Sequence, residues 1–155
     1  MWNEQEFFIP AAFRPDTIVS SSKPAWGLVY NLLLIGMGGF IGTILRYLLS
    51  GLVQQNIKDV SFPYGTLSVN LLGCLLIGFL SFLSENHGFL PGVQRQFVFI
   101  GILGGFTTFS TFMNENMRMA MDGETLLTLL NIALHLFLGL LAVWLGRILA
   151  HTLWR

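Results

Sequence analysis

Hydroxyl and aromatic side chains alternate within one apolar stretch, residues 104–112, which has the sequence GGFTTFSTF. Phe109 and Phe112 are three residues apart and share one face of a helix, whereas Thr111 and Glu115 follow a neighbouring stripe. Hydroxyl groups donate hydrogen bonds to anions, and the edges of aromatic rings are electropositive because of the ring quadrupole. This combination favours the passage of a small anion along the helix.

The same stretch predicts a break in its helix. Gly104 and Gly105 each weaken a helix by roughly 1 kcal/mol relative to alanine. Thr107 and Thr108 are β-branched, and their hydroxyls compete for backbone groups. A break inside a membrane frees backbone carbonyls, which then need a cation or another helix as partner.

A second polar face is predicted around Asn70, because Thr66 and Gly73 lie on the same side of a helix. The asparagine amide offers two N–H donors and one acceptor. Two interpretations remain open at this point. Asn70 either belongs to the anion passage or forms an ordinary hydrogen bond to another helix.

Three further polar residues lie in or beside apolar runs. Asn131 and His135 are four residues apart, and a neutral histidine bonded to another helix is the expected arrangement. A metal site is not indicated, because the other histidines lie outside the apolar runs. Arg46, next to Tyr47, is either a membrane anchor or an anion attractor at a pore mouth.

These side chains must be positioned by membrane helices. The 155-residue chain is 54% hydrophobic and 10% charged, with a formal net charge of zero. The balanced charge excludes a nucleic-acid binder, and the apolar content excludes a disordered chain. A single cysteine, Cys74, excludes a disulfide scaffold. The composition predicts an all-α integral membrane protein of one domain.

Four intervals without Asp, Glu, Lys or Arg locate the spans, since a helix needs about 20 apolar residues to cross the bilayer. They are residues 24–45, 60–84, 96–114 and 125–146. The predicted spans are about 26–50, 63–84, 96–119 and 125–149. They form a transmembrane domain over 26–152 after an N-terminal extension, 1–25. The short loops and the lack of a nucleophile–base pair argue against an enzyme.

Charge and small residues bear on assembly. Lys and Arg show only a weak bias between the two predicted sides, so the chain either inserts with a weak preference or inserts both ways. Dual insertion permits an antiparallel homodimer. GxxxG pairs at Gly38/Gly42 and Gly101/Gly105 predict close approach of helix backbones.

Over roughly residues 30–150 the chain resembles the fluoride channel family, Fluc, also called CrcB. Three segments carry the resemblance, and the second and third are the most specific. They are GGFIG at 38–42 with Arg46-Tyr47, PYGTLSVNLLG at 63–73, and GGFTTFSTF at 104–112 with Glu115.

The resemblance implies passive fluoride export that lowers fluoride toxicity, across a bacterial inner membrane. It implies an antiparallel, dual-topology dimer with two pores, each lined by both subunits. The implied pore residues are Asn70 as donor, Phe109 and Phe112 as edge-on rings, Ser110, Thr111 and Thr66 as polar lining, Glu115 towards one end and Arg46 at a vestibule. A central structural Na⁺ would be held by the backbone carbonyls of Gly104 and Thr107, two from each subunit.

One departure from the resemblance lies in the fourth helix, where relatives often carry Tyr and Ser at the positions of Asn131 and His135. Two other classes of protein are weighed against a channel. A four-helix multidrug exporter usually needs a glutamate in its first helix, which this chain lacks. A packing partner of a larger complex would account for the glycines, but not for the Phe-Ser-Thr-Phe stripe.

Overall fold

The computed structural model describes residues 25–57 and 61–154. The predicted N-terminal extension therefore lies outside the described residues apart from Ala25, as do Lys58 and Asp59 of the first loop. The described part of the chain is helical and contains no strand.

Five helical elements make up four candidate membrane spans. They are α1 (Ala25–Asn56), α2 (Tyr64–His87), α3 (residues 93–106), α4 (Phe109–Met121) and α5 (Thr125–Leu153). The helices α3 and α4 together form the third span, Val93–Met121. All four spans are long and apolar enough to cross a bilayer, which confirms the number predicted from sequence.

The first helix runs past the predicted end near residue 50, as far as Asn56. Gln54 explains the extension, because its side chain ties this last part of α1 to the beginning of α2. Its Oε1 accepts the Gly65 N–H at 3.1 Å, and its Nε2 donates to the Phe62 carbonyl at 3.3 Å. Hydropathy alone predicts an earlier end for this helix. The contact of Gln54 with the beginning of α2 stabilises the additional residues.

The predicted break in the third span is confirmed, but it lies just after the glycines. Gly104 keeps helical angles, whereas Thr107 (φ −86°, ψ 155°) and Thr108 (φ −147°, ψ 117°) are extended. The preceding segment, Gln96–Leu103, is a π-helix, a form that often accompanies functional interruptions. Extended angles suit the β-branched threonines, so these residues carry the break.

Gly105 serves helix packing instead, whereas a Cβ at Gly104 would meet only its own helix. A Cβ added at Gly105 would lie 2.6 Å from the Gly39 carbonyl oxygen, and one at Gly38 would lie 2.6 Å from the Phe97 carbonyl oxygen. The backbones of α1 and α3 therefore touch along their glycines, as the GxxxG pairs predicted. Close packing also joins α2 to α5, where Gly78 approaches the Val143 carbonyl.

Candidate functional site

Asn70 is the residue that holds the break in the third span. Its Oδ1 accepts the Thr108 backbone N–H at 2.9 Å, and its Nδ2 donates to the Thr108 carbonyl at 3.1 Å. One carboxamide thus pairs both backbone groups of an extended residue, as a neighbouring β-strand would. The break lies inside the third candidate membrane span, where unpaired backbone polar groups are costly because the environment is apolar. The two groups of Thr108 therefore need a partner.

The whole polar face predicted on α2 contacts the region of the break. Thr66, one turn before Asn70, donates its hydroxyl to Glu115 Oε1 at 2.6 Å. Gly73, one turn after it, leaves room for the methyl group of Thr107, which a Cβ at residue 73 would strike. Helix α2 therefore runs antiparallel to α4 and supports it at three successive levels.

Hydroxyl groups gather at the first turn of α4. Thr108 is the N-cap, and its Oγ1 accepts the Thr111 N–H at 3.2 Å. The same oxygen donates to Thr111 Oγ1 at 3.0 Å and lies 3.4 Å from Ser110 Oγ. Thr108 is buried, whereas Ser110 and Thr111 are exposed on the surface of the subunit. Thr108 therefore connects the hydroxyls of Ser110 and Thr111, two of the three residues of the predicted polar lining.

These bonds divert two N–H groups from their helical acceptors. In an unbroken helix Thr108 N–H would bond the Gly104 carbonyl and Thr111 N–H the Thr107 carbonyl. Here Thr108 N–H goes to Asn70 and Thr111 N–H to the Thr108 side chain. The Leu103 carbonyl, in contrast, accepts both Thr107 N–H and Thr107 Oγ1–H at 3.0 Å. Gly104 and Thr107 are thus among the carbonyls at the break that lose their helical donors.

A polar cavity of about 850 Å³ opens between α1, α2 and α4. Of the residues predicted from sequence, it brings together Arg46, Thr66, Thr111 and Glu115. Arg118, which the sequence analysis did not single out, adds a second guanidinium to the wall. Glu115 Oε2 is buried there and has no hydrogen-bond partner within the described residues. Asp122 and Glu124 also line the cavity, so its wall carries three carboxyl groups beside the two guanidinium groups.

The remaining predicted residues lie outside that cavity. Phe109 and Phe112 are neighbours, with ring centroids 5.8 Å apart and ring planes at 51°. Phe109 is 72% exposed on the subunit surface, whereas Phe112 is only 6% exposed. The two rings therefore differ in setting, one against the packed interior and one outward.

An interhelical asparagine pair joins α4 to α5. Asn131 Nδ2 donates to Asn116 Oδ1 at 3.0 Å, and Asn116 Nδ2 donates to the Phe112 carbonyl at 2.8 Å. The sequence predicts that His135 bonds to another helix, but it is Asn131 that makes the interhelical bond. His135 bonds within its own helix, to the Asn131 carbonyl at 3.0 Å, contrary to the expectation for this histidine.

Asn116 was missed by sequence reasoning. The spacing of Asn116 in the sequence indicates its position. It follows Phe112 by four residues and precedes Met119 by three, which places the three side chains on one face of a helix. All three are buried on one face of α4. A polar residue on an apolar helical face is a candidate for interhelical bonding.

Comparison with known proteins gives one family and many relatives. The family profile described as "CrcB-like protein, Camphor Resistance (CrcB)" matches residues 33–147. The chain is 43% identical over 125 residues to fluoride-specific ion channel FluC 1 of Methanosarcina acetivorans, covering 81% of this chain and 94% of that relative. It is 44% identical over 121 residues to FluC of Clostridium perfringens, covering 78% and 94%. FluC of Elusimicrobium minutum is 40% identical over 121 residues, covering 77% and 92%.

Proposed function

Because the chain belongs to the CrcB family, we propose that it is a fluoride-specific ion channel that lets fluoride leave the cell passively. It is a multi-pass membrane protein, and its family is a class of channels rather than of enzymes. The observation that carries the proposal is the set of hydroxyl, amide and aromatic groups at the break, in a chain whose relatives are named for fluoride.

The proposed route begins in the polar cavity. Arg46 and Arg118 offer guanidinium donors to an anion there, and Thr66 and Thr111 offer hydroxyls on the wall. Beyond the cavity, fluoride passes the electropositive edges of Phe109 and Phe112. Asn70 and Ser110 are the remaining proposed donors. Fluoride is small and strongly hydrated, so the route must replace its water with several donors at once.

Asn70 retains a donor for this role. Its Oδ1 and one Nδ2 hydrogen are occupied by Thr108, and an amide nitrogen carries a second hydrogen. We propose that this second N–H contacts fluoride. Asn70 then has two tasks, since the same side chain holds the break and supplies a donor beside it.

We also propose a structural Na⁺ at the break, held by the backbone carbonyls of Gly104 and Thr107. The fit rests on the donor diversion described above, because these two carbonyls lose their helical N–H partners. Carbonyl oxygens are hard ligands suited to such ions. Two carbonyls do not complete a coordination shell, so an equal pair from a second subunit is part of this proposal.

Sodium removal tests that site. The thermal unfolding temperature of the purified protein is expected to fall when Na⁺ is replaced by N-methyl-D-glucamine. Mass action predicts about 2.7 kcal/mol of stabilisation at one hundred times the dissociation constant. Thr107→Val keeps the backbone ligand and should retain the response to Na⁺. An unfolding temperature independent of Na⁺ would contradict the site.

An antiparallel homodimer is the proposed assembly. Its support is the apolar outward stripe of α4, formed by the exposed Phe109, Met113 and Met117 at intervals of four residues. A second copy covering this stripe would bring Phe109 into a closed route. Each pore would then be lined by both subunits.

Efflux from liposomes tests the function itself. Purified protein in liposomes loaded with potassium fluoride should release fluoride to an electrode once valinomycin is added, and chloride-loaded liposomes should release little. A multidrug exporter would instead move a dye such as ethidium under a proton gradient. A packing partner would move neither. Fluoride release equal to that of protein-free liposomes would reject the channel.

A further inference from the structure

The imidazole of His135 lies directly against Phe112. The two ring centroids are 4.1 Å apart and the ring planes meet at 38°. His135 therefore packs on one face of Phe112. The electropositive edge is the part of a phenyl ring that an anion would contact.

The hydrogen bond of His135 fixes which of its nitrogens carries the proton. Nδ1 lies 3.0 Å from the backbone carbonyl of Asn131. A carbonyl only accepts, so Nδ1 must be the donor. In the neutral ring Nε2 is then a bare acceptor. This Nε2 is buried and has no hydrogen-bond partner among residues 25–57 and 61–154.

Helix register places His135 beside the break. The helices α2 and α5 run parallel, because Gly78 approaches Val143 and a Cβ at Gly139 would lie 3.7 Å from Cys74 Sγ. One turn earlier on each helix are Asn70 and His135, which therefore share a level. Both contact the first turn of α4, through Thr108 and Phe112 respectively.

We propose that His135 is a fluoride contact whose Nε2 donates to the anion when the ring is protonated, so that fluoride conduction increases as pH falls. The inference rests on the proposed function. Protonation takes H⁺ from water, converts Nε2 from an acceptor to a donor and adds a positive charge next to the anion route. The charged ring also remains favourably placed against Phe112, as a cation–π pair.

Other titratable groups lie on the two helices packed against α5. The groups nearest the level of His135 are Cys74 on α2 and Glu115 and Arg118 on α4, and α2 carries Tyr64, Glu85 and His87 at its two ends. Neither a guanidinium nor a thiol is expected to change its charge in the pH range in which an imidazole titrates. Glu115 is the competing source of a pH response, and its Oε1 is bonded to Thr66. Glu115→Gln therefore belongs in the experiment.

The experiment measures fluoride efflux from liposomes between pH 6 and pH 8, with the leak of protein-free liposomes subtracted at each pH. The protonated fraction of an imidazole rises as pH falls over this interval. The wild-type rate is expected to rise severalfold towards pH 6. His135→Leu should lower the rate at every pH and remove the slope.

Two variants separate titration from packing. His135→Gln places an uncharged N–H near the position of Nε2, so flux should persist without the slope. His151→Gln is the matched control, because it removes a histidine of the same helix that lies against Phe82, with ring centroids 5.6 Å apart. It should keep the wild-type profile. A slope that survives in His135→Gln, or disappears in Glu115→Gln, would overturn the proposal.

A measurement without flux separates this inference from the channel function. In ¹⁵N-histidine-labelled protein at pH 6, sodium fluoride should shift one imidazole resonance that sodium chloride leaves in place, and His135→Gln should lack that resonance. A fluoride flux that does not vary with pH, or no shift on adding fluoride, rejects the histidine contact. A flux that does not vary with pH is still a fluoride flux, so that result rejects the histidine contact without rejecting the channel function.

Discussion

At the scale of single residues, Asn70 is the side chain whose role changes most once its partners are known. From sequence it is either a pore donor or an interhelical bond. Its two bonds to Thr108 make it a backbone-pairing residue for the break, with one N–H to spare. Loss of the amide therefore affects the structure of the route as well as its chemistry.

Asn70→Leu should consequently abolish fluoride flux and also destabilise the protein. The substitution leaves the Thr108 N–H and carbonyl unpaired, at roughly 1–3 kcal/mol for each group. A lower unfolding temperature in detergent, measured beside efflux, checks this. The control is Asn86→Leu, on the same helix, where the amide is exposed and bonds only to the preceding turn. An Asn70→Leu protein that unfolds like the wild type would contradict the backbone-pairing role.

Phe109→Ile and Phe112→Ile test the aromatic contacts. Isoleucine keeps apolar bulk but has no electropositive edge, so fluoride efflux should fall by about tenfold or more, which corresponds to about 1.4 kcal/mol. Phe109 is exposed on the subunit, so its substitution should leave the fold intact. Phe137→Ile supplies the control, since that ring is 68% exposed on α5. Efflux at wild-type rates from both Phe variants would remove the rings from the route.

At the scale of helices, the contact of α1 with α3 depends on glycine backbones that nearly touch. A Cβ at Gly42 would strike the Ile102 carbonyl oxygen, whereas a Cβ at Gly36 would meet nothing within 4 Å. Alanine substitutions at Gly42 and Gly36 therefore form a matched pair on one helix, because only the first introduces a methyl group against another backbone.

Gly42→Ala should destabilise the protein by roughly 1–3 kcal/mol, the usual cost of overpacking. Gly36→Ala should be neutral or slightly stabilising, because alanine favours a helix by about 1 kcal/mol over glycine. Unfolding temperatures of the two purified variants, compared at equal detergent concentration, give the answer. Equal temperatures for both would show that α1 and α3 are not held by close backbone contact.

At the scale of the whole molecule, charge leaves the orientation nearly undecided. Formal net charge is zero, and neither set of loops is strongly basic. The ion pair between Arg147 and Glu85, 2.8 Å apart, further neutralises one end of the bundle. Dual insertion remains a prediction of this balance, and the antiparallel dimer depends on it.

Labelling of single cysteines in intact cells measures the orientation. In a Cys74→Ser background, Glu124→Cys and Thr152→Cys place exposed thiols at opposite ends of the bundle. A membrane-impermeant maleimide should label roughly half of the copies at each site. Full labelling at one site with full protection at the other would establish a single orientation.

The sequence by itself determined the four spans, the break and the close-packing glycines. Hydropathy and residue spacing are local properties, and lipid forces long apolar runs to become helices. The position of the break was approximate, because glycine also serves helix contact. In this chain Gly101 and Gly105 pack against α1, and the extended residues are Thr107 and Thr108.

Only the tertiary structure decided which polar groups meet. Asn70 and Thr108, Asn131 and Asn116, and His135 and Phe112 lie on different helices, and no spacing rule links them. Their pairing follows from the register of α2 and α5 against α4, which small residues and buried polar groups set together. Buried donors and acceptors in an apolar bundle must find partners wherever the packing places them, and that requirement appears only when the helices are assembled.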